Sequence, residues 1–367
     1  MVIFLWDVRD VELEMPARVK FVLLFEGTWN HEGKPSAMTH LFDMLQDTRT
    51  QRKHIVSGSG TYGWILQRLL GGLGHDSYVI LLRQYQWLTG QVLRMGLEQN
   101  AIKVYLFGFS RGAYQARMFC DLLTHFGIPS KVDECKTIVS CYRQCNSRLQ
   151  RRYRPSVNTW VGNVRYVGFI DPVRGLIPGF INKYCLPLDD TIAGRCAYSI
   201  SERRRAFYPQ LNNGRRVKSE WFAGVHSDVG WAYEDSKTLG KIALRWVLEP
   251  VEDELDFIYE LNKFPSNVSE AIQLVSCSHF VHHNSFTAKW WLAGLKKRRV
   301  CCRNRIVRAL DIAMRRTRTQ APKPFRIWPF STKMFRAINK RRVVVAVKEF
   351  LQQRGIVDKV FRRLKVY

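Results

Sequence analysis

The chain predicts an α/β fold with a mainly parallel central sheet and helices on both faces. Three observations carry that prediction. Short apolar runs alternate with segments of helical periodicity, the pattern of strand–helix–strand units. One apolar run leads through a Gly-x-Ser-x-Gly turn directly into a helical segment. The 367 residues, 46% of them hydrophobic, suffice for one large domain with an appendage.

Lys20–Phe25 is an apolar run that ends in the polar turn Glu26-Gly27-Thr28-Trp29-Asn30, so it reads as a buried strand. Ile55–Gly74 is rich in glycine and reads as a loop holding a short helix, with a lid as one role for it. Tyr78–Gln99 repeats its apolar residues at helical spacing through Ile80, Leu81, Tyr85, Leu88, Val92 and Met95. Ile102–Phe107 is a second buried strand. The helix after it carries Ala113, Ala116, Phe119, Leu122, Leu123 and Phe126 on one face and stops at Gly127, with Pro129 beyond. Arg165–Ile170 is a third strand, closed by Asp171-Pro172, and Ser219–Val225 a fourth, closed by His226.

Composition changes near Leu295. From there to Tyr367 stand 23 Lys or Arg against three Asp or Glu, so about +20 of the net charge of +27 lies in this stretch. Val300, Val307, Leu310 and Met314 form one apolar stripe, and Val343, Val347, Phe350, Val357, Val360 and Leu364 a second. The expected division is a catalytic domain over 18–294 and a basic, mostly helical region over 295–367. Basic helices with apolar stripes suit an anionic membrane surface, and the region is expected to dock there rather than to join the catalytic centre. Nucleic acid is the weaker reading of the same charge.

No run of about 18 apolar residues occurs, so no spanning helix is expected. The start, MVIFLWDVRDVELE, lacks a basic segment and meets acids early, unlike a secretory signal. Synthesis in the cytoplasm is expected, followed by peripheral membrane attachment or export through a dedicated secretion system. The nine cysteines lack paired C-x-x-C spacing and read as reduced thiols, with no metal site.

A serine hydroxyl needs a base and a fixed, exposed position to act as a nucleophile. A sharp strand-to-helix turn supplies the position at Ser110, and its crowding favours Gly108 and Gly112, which lack a Cβ. Functional groups of open α/β sheets gather at the carboxyl ends of strands. Three such ends here carry Ser110, Asp171 and His226, in the chain order nucleophile, acid, histidine of α/β-hydrolases. Read singly, each is equally an ordinary turn or loop residue. Asp228 is near enough to be the acid instead, and His282, beside His283, is the alternative base. The N–H of Arg111 and one from the turn at Gly27 and Thr28 would form the oxyanion hole. Trp29, Trp64 and Trp231 are candidates to hold an apolar part of a substrate, or else core residues.

Six blocks of the sequence carry a resemblance. They are LLFEGTWN (Leu23–Asn30), GSGT (Gly58–Thr61), YLFGFSRGAYQARMF (Tyr105–Phe119), GFIDPVRG (Gly168–Gly175), SISERRRAFYP (Ser199–Pro209) and WFAGVHSDVGWAY (Trp221–Tyr233). Over about residues 20–250 the chain resembles an α/β-hydrolase family first catalogued as a domain of unknown function, which includes type VI secretion phospholipase effectors. The resemblance implies Ser110 as nucleophile, Asp171 as acid and His226 as base, acting on ester bonds of membrane phospholipids without a metal or organic cofactor. An immunity protein or a carrier protein is a candidate partner, the carrier because the start of the chain does not resemble a secretory signal. Glu26 stands where the family usually has Asp, Pro172 where Thr is common, and Trp231 where a Gly follows the DVG. Two other readings remain: a non-catalytic hydrolase-fold binding protein whose basic tail engages nucleic acid or a partner, and an esterase for soluble esters.

Overall fold

The computed structural model describes residues 18–28, 30, 34–60, 76–144, 164–174, 188–210, 214–233, 237–258 and 298. Met1–Arg318 forms one compact unit and Thr319–Tyr367 another, and every described residue belongs to the first.

Among the described residues six parallel strands make one sheet: β1 (Val19–Phe25), β2 (Gln51–Val56), β3 (Ile102–Phe109), β4 (Val164–Ile170), β5 (Ala193–Ser199) and β6 (Val217–Phe222). Their order across the sheet is β2-β1-β3-β4-β5-β6. At the centre Phe25 stands opposite Gly108 and Phe109 opposite Ile170, and the β3–β4 register shifts once, between Val104 and Tyr105. The helices are α1 (Ala37–Met44), α2 (Ser77–Arg94), α3 (Arg111–Phe126), α4 (Glu134–Gln144), the single turn α5 (His226–Val229) and α6 (Lys237–Leu248).

Strand side chains alternate between two apolar layers. Phe21, Leu23 and Phe25 of β1, with Val104 and Leu106 of β3, pack against α2, α3 and α4. Val22 and Leu24, with Tyr105, Phe107 and Phe109, pack against α1 and α6. A parallel sheet covered on both faces explains why β1 and β3 read as nearly continuous apolar runs.

The sequence expectation and the structure part at some elements. The helix expected over Tyr78–Gln99 ends at Arg94. Gly96 adopts φ +57°, its N–H donates to the Leu93 carbonyl (3.2 Å), and that of Leu97 donates to Val92 (3.2 Å). That is a Schellman stop, which glycine permits. The last strand spans Val217–Phe222 rather than Ser219–Val225, because the chain turns at Gly224, φ +107°. QRKHIV is too polar to spell a buried strand, yet it forms β2. It is an edge strand, and Lys53 Nζ donates to the Phe42 and Leu45 carbonyls (2.7 and 2.8 Å) at the end of α1. Residues 61–75, most of the glycine-rich loop, lie outside the described residues, as do Trp29 and Trp64. Cys120, Cys135, Cys141 and Cys196 are thiols. Among the described residues no helix is long and apolar enough to cross a membrane.

Candidate active site

The strand order reverses between β1 and β3, so the crevice of the sheet opens at the carboxyl ends of these two strands. Ser110 sits there, between β3 and α3, with φ +59° and ψ −124°. The glycines beside it are required by space. A Cβ on Gly108 would stand 2.6 Å from Ala113 Cα, and one on Gly112 would stand 2.2 Å from the Phe25 carbonyl oxygen. The turn is thus an elbow wedged against the end of β1.

Hydrogen bonds step across the strand ends into the site. The Ser110 N–H donates to the Ile170 carbonyl (2.9 Å), that of Asp171 to Ala197 (2.7 Å), and that of Ile200 to Phe222 (2.9 Å). Asp171 follows β4 at φ +42°, and His226 begins α5 after β6. The three candidate residues therefore come together. His226 Nε2 lies 2.7 Å from Ser110 Oγ, and His226 Nδ1 lies 2.6 Å from Asp171 Oδ2. All three are buried.

Burial alone would raise the Asp171 carboxyl. The Arg298 guanidinium and the bond to His226 outweigh it and hold the group well below the usual carboxylate range. An ionised Asp171 accepts from His226 Nδ1–H, which leaves Nε2 as the acceptor for the Ser110 hydroxyl. Burial pushes the imidazole pKa down, against the bond to Asp171 that raises it, so the ring favours its neutral, proton-accepting form. Phe109 stacks on the ring and Phe207 meets it edge-on, each with centroids 4.8 Å away.

A second ion pair adjoins the His226 backbone. Glu202 Oε1 accepts from the N–H groups of Arg203 (2.9 Å) and Arg204 (2.8 Å), and Oε2 from Arg204 Nη2 (2.7 Å) and the His226 N–H (3.3 Å). Although burial raises it, Arg204 holds the Glu202 carboxyl down at about 2. The Arg204 guanidinium in turn covers the Phe207 ring at 3.6 Å.

Other expected residues stand elsewhere or act differently. Asp228 Oδ2 accepts the Val225 N–H (2.9 Å) and so closes its own helical turn, while Asp171 occupies Nδ1 of the histidine. The Gly27 N–H donates to Glu26 Oε2 (3.0 Å), which engages it away from an oxyanion. Arg111 is the first residue of α3, on the positive end of its dipole. Glu26 is held by Ser36 Oγ (2.6 Å) and the Thr39 N–H (2.9 Å) at the start of α1, and burial raises its pKa. Trp231, at φ +50°, is buried and stacks on His40 (3.9 Å), which makes it a core residue. His282 and His283 lie outside the described residues. Among the described residues no group of three His, Cys, Asp or Glu could hold a metal.

Arg298 corrects one expectation outright. It belongs to the basic stretch expected to stay clear of the centre, yet its guanidinium reaches both oxygens of Asp171 (2.5 and 2.9 Å). A buried carboxylate demands a matching charge, and this one is drawn from 127 residues away in sequence. Nothing in LKKRRV distinguishes Arg298 from its neighbours, whereas Glu202 and Arg204 lay within the SISERRRAFYP block without an assigned role.

A family model described as the catalytic domain of Tle1-like phospholipase effectors of the type VI secretion system matches residues 19–177 and 178–250. Among solved structures, an uncharacterized protein from Pseudomonas aeruginosa is 16% identical, with TM-score 0.43, over 71% of this chain and 50% of its own. A Tle1 effector solved bound to the VgrG spike is 19% identical, with TM-score 0.40, over 60% of this chain and 52% of its own. A carboxylesterase from Lactobacillus plantarum is 12% identical, with TM-score 0.32, over 65% of this chain and 88% of its own. The chain thus spans about half the length of the first two. No curated protein matches it. Since the family match runs from the first residue of β1 past the end of α6, taking in every strand of the sheet, this α/β-hydrolase-fold chain belongs to the Tle1-like type VI phospholipase effector family through its catalytic domain.

Proposed function

We propose that the protein is a serine esterase that cleaves acyl ester bonds of membrane phospholipids. The observation that carries this reading is the unbroken line of short contacts from Ser110 Oγ through the His226 ring to Asp171. Ser110 Oγ attacks the acyl carbonyl carbon while His226 Nε2 takes its proton, and Asp171 stabilises the imidazolium. The oxyanion is met by the N–H of Arg111 and by that of Thr28, since Glu26 holds the Gly27 N–H. Collapse of the tetrahedral intermediate returns the proton to the leaving alkoxide and leaves the acyl group on Ser110. Water then attacks the acyl carbon while giving a proton to His226 Nε2, which passes it to Ser110 Oγ as the fatty acid leaves.

Family membership supports lipid as the substrate class. The basic residues beyond Arg298, over 299–367, would hold the enzyme on an anionic leaflet. The Tle1 effector bound to the VgrG spike suggests, by analogy, export on a carrier of the same secretion system.

The test is mass spectrometry of products from mixed phospholipid vesicles, comparing the full chain with Ser110→Ala. Fatty acid and lysophospholipid are expected from the first alone. Equal products from both, or hydrolysis of short soluble esters with none of vesicles, would reject the reading. Co-sedimentation with anionic vesicles should weaken as salt rises.

A further inference from the structure

The Asp171 carboxylate has more partners than a triad acid requires. Oδ1 accepts from the Ser199 N–H (2.9 Å) and Arg298 Nη1 (2.5 Å). Oδ2 accepts from His226, Ser199 Oγ (3.0 Å) and Arg298 Nη2 (2.9 Å). The guanidinium is itself fixed. Nη1 also donates to the Ser199 carbonyl (2.7 Å) and Oγ (2.8 Å), and Nη2 to the Phe207 carbonyl (2.5 Å). The side chain is 1% exposed and Asp171 fully buried. A planar fork against a carboxylate fixes both position and rotation of the acceptor. The same arginine fixes Phe207, whose ring flanks the imidazole.

We propose that Arg298 is a positioning residue of the active site: it locks the Asp171 carboxylate against His226 and opposes charging of the imidazole by sharing that carboxylate's charge. This rests on reading Ser110, His226 and Asp171 as the triad. Among the described residues, Asp171 meets Arg298 and Ser199 and interacts electrostatically with the buried Cys196 thiol, while His226 meets Ser110, Glu202, Arg204 and the rings of Phe109 and Phe207. Glu202 and Arg204 neutralise each other. Among the described residues Arg298 is therefore the cation that balances Asp171 before the histidine takes a proton. Two consequences follow. The working hydrolase unit extends at least to residue 298, beyond both the family match and the boundary expected at 294/295. Removal of the guanidinium also lets the Asp171–His226 pair take up its proton at higher pH.

The experiment uses the full chain and its Arg298→Met, Arg298→Lys and Arg298→Gly variants. The His226 imidazole is titrated by NMR, its signal assigned by its loss in His226→Gln, and kcat and KM are measured on a soluble chromogenic ester across pH. In Arg298→Met, His226 should titrate about one pH unit higher, as loss of a neighbouring cation implies. The acid limb of kcat/KM should follow, and kcat should fall tenfold or more with KM little changed. Arg298→Lys keeps the charge without the fork, so the titration should stay near wild type while kcat falls. Guanidinium ion, but not equal sodium chloride, should restore Arg298→Gly. An unmoved His226 titration in Arg298→Met overturns the proposal. Should that variant unfold, a folded Arg298→Lys with wild-type kcat overturns it instead. Because the imidazole titration needs no turnover, a wild-type chain that hydrolyses no ester would reject the esterase reading and leave the proton effect of Arg298 to be judged by NMR.

Discussion

Gly112 presses on Phe25 so closely that a Cβ on the glycine would lie 2.2 Å from the Phe25 carbonyl oxygen and 2.3 Å from that of Glu26. Backbone cannot yield as a flexible side chain can. Gly112→Ala should therefore push α3 away from β1 and move Ser110 with it. We expect a stability loss of about 1–3 kcal/mol, the range for overpacking, and a larger fractional loss of activity. Urea unfolding read beside kcat would check this; an alanine variant with wild-type kcat would contradict it.

Ser110→Ala should leave the fold intact, because Ser110 contributes to the site through its hydroxyl while its backbone bond to Ile170 remains. Ester hydrolysis should fall by about 10⁴-fold or more, as when a triad nucleophile is lost. Circular dichroism and a stopped ester assay on the same preparation would show both.

Asp171→Asn should cost about 10⁴-fold in kcat, since an amide can donate to Nδ1 and so favours the wrong tautomer. Asp228→Asn should cost far less activity, because Asp228 serves the Val225 N–H and not the histidine. Reversal of the two effects would make Asp228 the acid.

Glu202→Gln should destabilise the protein by about 3–5 kcal/mol, the loss expected when one partner of a buried ion pair is removed. The pair also sets an acid dependence. Glu202 titrates near 2 in the fold, below its ordinary 4.5. Its contribution is present above about 4.5 and is lost as pH falls towards 2. Denaturant midpoints between pH 5 and 3 should fall less steeply in Glu202→Gln than in the wild type.

Much of the centre of the fold was legible. β1, β3 and β4 are buried on both faces and so spell apolar runs, and the elbow's glycines are forced by contact distances within a few residues of chain. The meeting of Ser110, Asp171 and His226 could be read because parallel strands deliver their ends to one edge. β2 and β5 were not legible. QRKHIV is polar at a sheet edge, and AGRCAYS relies on small residues, with Gly194 packed against Val167. Helices α1, α4 and α6 went unread beside these strands. Arg298 could not be found from sequence, since its partner is fixed only by tertiary structure and its neighbours are equally basic. The engagement of Gly27 was hidden for the same reason: it depends on where α1 places the Glu26 carboxylate.

The amides that follow β3 and β4 donate across to the next strand, Ser110 to Ile170 and Asp171 to Ala197. Catalytic loops ordinarily open by local fluctuation, but these two residues prolong the sheet's own ladder. Neither can expose its N–H to water unless β3, β4 and β5 part. Their protons should consequently exchange with deuterium as slowly as those of Leu106 and Val167 in the sheet interior, at the rate set by global unfolding. Ser110 and Asp171 would then be among the last parts of the molecule to loosen.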